Sequence, residues 1–187
     1  KQARAADRTR QLGERIGVIR AFNQSEDQAT KDALTGLLNR RSTEEAIQRL
    51  QRDGTRFCVV YADIDHFKRL NDTYGHETGD RALRLFSRVL TDSLRPSDVI
   101  SRWGGEEFVM ILPNTSAELA KPIIERLRLA ISENTGLGAV PAVTASFGIA
   151  ECGPSDDFAE RLNEADAALL LAKQNGRNRI ALAGSLL

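Results

Sequence analysis

Residues 57–63, FCVVYAD, constrain this chain more than any other stretch of it. Phe57, Val59 and Tyr61 alternate with Cys58, Val60 and Ala62, and all six are apolar or nearly so. A run that is apolar on both faces reads as a buried central strand. It leads straight into two acids, Asp63 and Asp65. A buried carboxylate is costly unless it is paired or holds a metal ion, so the end of this strand is where chemistry is expected.

The flanking pattern sets the architecture. Thr35 and Gly36 suit a turn within DALTGLLNRR, residues 32–41. Ser42, followed three residues later by Glu45, has the form of a capping box that opens a helix ending near Gly54. After a loop around Asp65 to His76, a helix is predicted from about Glu77 to Leu94, with Leu83, Phe86, Leu90 and Leu94 on one face. Strands follow at 98–103 and 107–112, joined by Gly104 and Gly105 as a hairpin. Residues 116–133 form an amphipathic helix with Pro122 in its first turns, and 142–151 form a strand. A helix over 157–175 ends at Gly176, and 178–182 make a last short strand. A hairpin set between two β–α units predicts an α+β fold, a mostly antiparallel ferredoxin-like sheet with helices on one face. Residues 1–31 precede it as an N-terminal helical extension. Its seam of Ala5, Thr9, Leu12, Ile16, Ile19 and Asn23 leaves two readings open, a surface helix or a dimer-forming connector. The domain proper is taken as residues 32–187.

Charge and composition narrow the function. Lys plus Arg and Asp plus Glu both number 26, so the net charge is zero, and no nucleic-acid surface or polybasic membrane patch is expected. A site for an anionic substrate must then be built locally, from a few cations and a metal. No apolar stretch reaches membrane-spanning length and no signal peptide is visible. Cys58 and Cys152 lack metal-like spacing and read as reduced thiols of a cytoplasmic protein. The parent protein can still be membrane-anchored upstream of Lys1.

A second pair of acids, Glu106 and Glu107, sits at the hairpin tip. Adjacent like charges at a tight turn repel unless a cation lies between them. With the hairpin beside the Asp63 strand, Asp63 and Glu106 are placed to face each other. Hard oxygen ligands with room for water and phosphate suit Mg²⁺. Acids that merely cap a turn and a helix look the same in isolation.

RWGGEEF, residues 102–108, resembles the signature loop of the GGDEF family, the diguanylate cyclases. Four more segments match in order: DALTGLLNRR at 32–41, ADIDHFKRLNDTYGHETGDRAL at 62–83, VTASFGIA at 143–150 and ADAALLLAKQNGRNR at 165–179. One departure is Leu38, where the family often has proline. The resemblance implies a palm-type fold and a reaction in which two GTP become cyclic di-GMP and two pyrophosphates. It implies Mg²⁺ or Mn²⁺ and a homodimer of domains. It implies Asp63 and Glu106 as metal carboxylates, joined by the Ile64 carbonyl, with Glu107 as a further acid that binds metal or helps remove a proton. Asn71 and Asp80 match the guanine-reading pair, and Lys173 and Arg177 the phosphate-binding cations. Phe67, Lys68, Gly104 and Gly105 complete the substrate-binding set.

The chemistry agrees with these residue types. Attack of a ribose 3′-hydroxyl on an α-phosphate builds negative charge on oxygen, which cations and metal ions offset. Glycines without a Cβ let the backbone turn tightly and approach a nucleotide. Asp80 can accept from the guanine N1–H and 2-amino group, whereas adenine would leave it unpaired. Lys173 and Arg177 are four apart and share a face if the last helical turn holds. His66 and His76 lie in the same region without an assigned role.

Arg95 and Asp98 form an RxxD pattern shortly before Gly104. The resemblance implies an inhibitory site there for the product cyclic di-GMP, with Arg126 as a second arginine. A surface ion pair at a turn would read the same way. The complete set of acids and glycines favours an active cyclase over a silent nucleotide-binding module or a structural relay.

Overall fold

A computed structural model describes residues 29–136, 138 and 140–184. The reading of residues 1–28 as part of a connector helix lies outside the described residues. The strands are β1 (Phe57–Ile64), β2 (Val99–Arg102), β3 (Glu107–Pro113), β4 (Ala145–Cys152) and β5 (Ile180–Leu182). The helices are α1 (Arg40–Arg52), α2 (Phe67–Tyr74), α3 (His76–Ser93), α4 (Ala117–Asn134) and α5 (Phe158–Gln174).

The strand order is β2-β3-β1-β4-β5, with β1 at the centre and every one of its residues buried. β1 pairs antiparallel with both β3 and β4, and β5 runs parallel to β4. This is the expected mostly antiparallel α+β sheet. The helices, however, cover both faces rather than one. Cys58, Val60, Ala62 and Ile64 pack with Leu83, Phe86 and Leu90 of α3 and Ile124 and Leu127 of α4. Phe57, Val59 and Tyr61 pack with Ile47 of α1 and Ala165 and Leu169 of α5. A central strand apolar on both sides requires cover on both sides, so the alternation already contained this answer.

Two local expectations are corrected. Asn39, not Ser42, caps α1: its side-chain oxygen accepts from the Ser42 N–H at 3.0 Å, which places Ser42 inside the first turn. The segment read as a loop contains α2. Phe67 and Leu70, three apart, bury one face of that short helix against the core, while Lys68 and Arg69 remain exposed. Among the described residues, no helix is long and apolar enough to cross a membrane.

The turn at 32–38 is built as expected, with Gly36 at a positive φ of 72° and the Thr35 N–H donating to Asp32 at 2.9 Å. Leu38 continues into an isolated parallel bridge with Ser101 of β2. Its N–H donates to the Ile100 carbonyl at 3.3 Å, a bond that proline at this position could not make.

Candidate active site

Side chains alternate along β1, so Asp63 points to the α5 side with Tyr61 and Val59. The β1–β3 register pairs Asp63 with Glu107, and Glu106, expected to face Asp63, also acts on its carboxylate. Directly paired residues of an antiparallel ladder share a face, so the Asp63 and Glu107 carboxylates line one side of the sheet end. Glu106 is the residue before β3, in the turn. From the other direction, α5 brings Lys173, whose ammonium donates to the Asp63 carboxylate. The acids of β1 and β3 and a cation of α5 thus meet where three elements end.

Burial and crowded like charges set the electrostatics of this cluster. Asp63 is 6% exposed. Burial pushes its carboxyl up to about 6, Lys173 opposes that rise, and Glu106 and Glu107 add to it. Burial likewise pushes the neighbouring Tyr61 hydroxyl up, with the charge of Glu107 acting in the same direction. The backbone of Ile64 is at the same strand end, paired with Ala145.

The turn between β2 and β3 is tight: the Trp103 N–H donates to the Glu107 carbonyl at 2.8 Å. Neither Gly104 nor Gly105 has a positive φ. The reason for glycine at 104 is contact, because a Cβ there would stand 3.0 Å from the Glu107 carboxylate, while Gly105 faces open space. A residue missed in the sequence holds this turn. Arg102 donates to the Gly105 carbonyl through Nε at 3.0 Å and Nη2 at 2.8 Å, and to both Asp32 oxygens through Nη1 at 3.1 and 3.2 Å. Burial alone would raise Asp32, but Thr35 and Arg102 outweigh it and hold its carboxyl below the usual range. Arg40 lies over the Trp103 ring at 4.7 Å and braces the same turn from α1.

Asp65, the second acid of the strand end, is a fastener. It is 5% exposed and accepts from Thr144 Oγ1 at 2.7 Å, Ser146 Oγ at 2.7 Å and the Asn178 N–H at 2.9 Å. That last bond ties the segment after α5 to the central strand. It also corrects the reading of Arg177. The helix stops at Gln174, and Gly176, Arg177 and Asn178 all take positive φ, at 114°, 61° and 45°. The last turn does not hold, so the four-residue spacing puts Lys173 and Arg177 on no common helical face. Lys173 reaches Asp63, and Arg177 sits on the turn that Asp65 anchors.

Asn71 and Asp80 come from α2 and α3, which are joined at Gly75. Both are half-buried, and Asn71 Oδ1 is buried without a hydrogen-bond partner. Phe67 is buried beneath them and Lys68 is exposed. A cavity of about 420 Å³ adjoins Asp65 and His66, between Arg69, Tyr74 and Thr144. Another of about 600 Å³ opens at the opposite end of the sheet, by Arg56, Asn114 and Glu151, and holds none of the expected site residues.

Arg95 and Asp98 form the anticipated pair, with Arg95 Nη2 3.0 Å from Asp98 Oδ1. Arg95 also reaches the Thr115 hydroxyl at 3.2 Å. Arg126 of α4 donates to the Ser93 carbonyl at the end of α3, at 3.1 Å. The two arginines therefore flank one helix end, away from the acids.

A sheet of this order, with acids at the end of its central strand and at the adjoining hairpin turn, defines a palm-type α+β domain. The chain belongs to the family of the diguanylate cyclase GGDEF domain, whose sequence profile matches residues 29–179. It is 41% identical over 167 residues to the diguanylate cyclase DgcP of Pseudomonas aeruginosa, covering 84% of this chain and 25% of that protein. The coiled coil and GGDEF domain of DgcB from Caulobacter crescentus, in complex with c-di-GMP, superposes with a TM-score of 0.83 at 34% identity, covering 97% of this chain and 98% of that one. The active GGEEF domain of a diguanylate cyclase from Vibrio cholerae superposes with a TM-score of 0.68 at 29% identity, covering 76% and 92%. The chain spans less than half the length of the curated relatives it matches.

Proposed function

We propose that this chain joins two GTP molecules into cyclic di-GMP and two pyrophosphates, with Mg²⁺ or Mn²⁺, in a face-to-face pair of domains. The observation that carries this reading is the meeting of Asp63, Glu107 and Lys173 at one sheet end beside the glycine turn.

The donor set suits Mg²⁺. Among the described residues, no three acidic, histidine or cysteine side chains converge as a ready-made cage. An ion held here would therefore take much of its shell from phosphate oxygens and water, as Mg²⁺ commonly does. Asp63, the Ile64 carbonyl, Glu106 and Glu107 would hold it, and it would supply the charge that offsets developing phosphate anions. Lys173 then changes partner, from Asp63 to a phosphate oxygen, and Arg177 supports the triphosphate. Gly104 and Gly105 leave room for the nucleotide, and Phe67 and Lys68 border it. Asn71 and Asp80 read the guanine. Glu107 accepts the proton of the attacking 3′-hydroxyl. Each new 3′-O–P bond forms as the bond from the α-phosphate to pyrophosphate breaks, once on each GTP.

One domain offers one base-reading pair, and the product is two-fold symmetric, so each 3′-hydroxyl must meet the α-phosphate held by another domain. Cyclic di-GMP bound by Arg95, Asp98 and a second domain's Arg126 would hold the sites apart and inhibit. A GTP-consuming reaction of this kind belongs in the cytoplasm.

The test is conversion of GTP with Mg²⁺, with cyclic di-GMP separated on a column, across a range of protein concentrations. Specific activity should rise with concentration, and Asp63→Ala and Glu107→Ala should abolish it while remaining folded. Activity retained by either folded variant overturns the assignment. Flat specific activity at concentrations where light scattering finds only monomer overturns the pairing.

A further inference from the structure

We propose that Gly79 positions the base-reading amide of this site, because its missing Cβ is the seat on which the Asn71 amide rests. The inference rests on the reading of Asn71 and Asp80 as the guanine pocket. Gly79 lies in the first turn of α3, is buried, and donates its N–H to the Gly75 carbonyl at 3.3 Å. Its φ is not positive, so backbone freedom does not call for glycine, which is less favourable than alanine within a helix. Space does call for it. A Cβ at Gly79 would lie 1.8 Å from Asn71 Oδ1, 2.9 Å from Asn71 Cγ and 3.2 Å from Phe67 Cζ.

Those distances decide what yields. The Asn71 amide is the far end of a flexible side chain, so it moves and the helix does not. The same Oδ1 has no hydrogen-bond partner in the protein. A buried polar atom left in this state is costly unless something supplies its partner. Asp80 follows Gly79 directly, so consecutive residues of α3 provide the platform for one base-reading group and the other group itself. With alanine at 79, the amide leaves the platform next to Asp80. Binding of the base weakens, while the acids and Lys173, on other elements, stay where they are.

The experiment is a double-mutant cycle with Gly79→Ala, Asn71→Ala and the double variant, measuring KM and kcat for GTP and melting temperature. Gly79→Ala should raise KM for GTP roughly tenfold, the loss of about one good hydrogen bond, with kcat largely kept. It should add nothing in the Asn71→Ala background. If Gly79→Ala alone folds poorly, the double variant, which removes the amide from the collision, should fold and match Asn71→Ala in KM. An unchanged KM in folded Gly79→Ala, or an equal rise in both backgrounds, overturns the role of Gly79 and leaves the guanine pocket standing. An unchanged KM in Asn71→Ala overturns the pocket reading and the inference together.

Discussion

The Asp63 carboxylate at the end of β1 accepts from the Lys173 ammonium on α5, although 110 residues separate them in the chain. One cation thereby stabilises a buried acid that two further acids crowd.

This pair makes the stability of the domain depend on pH and metal together. Burial raises Asp63 from its ordinary 3.8 to about 6. In that window the folded chain binds more protons than the unfolded one, so the contribution of Asp63 to stability falls as pH rises from about 4 to about 6. The displacement corresponds to about 3 kcal/mol at most. In EDTA, Asp63→Asn should gain on the natural chain in melting temperature across this range and hold its lead above it. Added Mg²⁺ should raise the melting temperature of the natural chain at pH 7.5 and much less at pH 5. Equal Mg²⁺ effects at both values would count against Asp63 as a ligand.

Arg102 is expected to govern turnover without touching substrate. A lysine cannot fork to the Gly105 carbonyl and the Asp32 carboxylate at once. Arg102→Lys and Asp32→Asn should each lower kcat, on the order of tenfold for loss of one positioned contact, and their combination should be far less than additive. Circular dichroism should show a native fold in all three variants. Full additivity would mean that the two residues act separately.

Loss of Asp65 should affect both stability and substrate binding. Asp65→Ala strands the buried Ser146 hydroxyl and frees the partly buried Thr144 hydroxyl and the Asn178 N–H of an exposed residue, at a cost of about 1–3 kcal/mol. Urea unfolding should register that loss. Freed from its anchor, the turn carrying Arg177 loosens, so KM for GTP should rise more than kcat falls. In an Arg177→Ala background the KM effect should vanish while the stability loss persists.

Arg95→Ala is predicted to separate feedback from catalysis. Arg95 is exposed but the Asp98 side chain it pairs with is only 2% exposed, so the variant should lose about 1–3 kcal/mol of stability and still fold. Initial rates should match the natural chain. Progress curves with added cyclic di-GMP should slow for the natural chain and stay linear for the variant.

The parts legible in sequence were those with strong period or punctuation. The two-sided apolar run of β1 announced a central strand, and Thr35 with Gly36 announced a turn. Helix α2 escaped because two buried residues, Phe67 and Leu70, leave too little periodicity amid polar neighbours. The pairing of Asp63 with Glu107 depended on where β3 begins, and a shift of one residue in register turns every side chain to the other face. The spacing of Lys173 and Arg177 suggested a shared helix face until Gly176 ended the helix between them. The Arg102–Asp32 and Asp65–Asn178 contacts join distant segments, so they became visible only with the topology.

The position of β1 has a cost during synthesis. Its two neighbours, β3 and β4, both lie downstream, and the cover of one of its faces includes α5 near the far end of the described chain. A growing polypeptide therefore carries its most apolar segment with both edges bare until most of the domain has been made, the condition under which unpaired strands seek partners on other chains. Folding of such non-local pairings is slow. Truncation before α5 would accordingly yield insoluble product rather than a weakened enzyme.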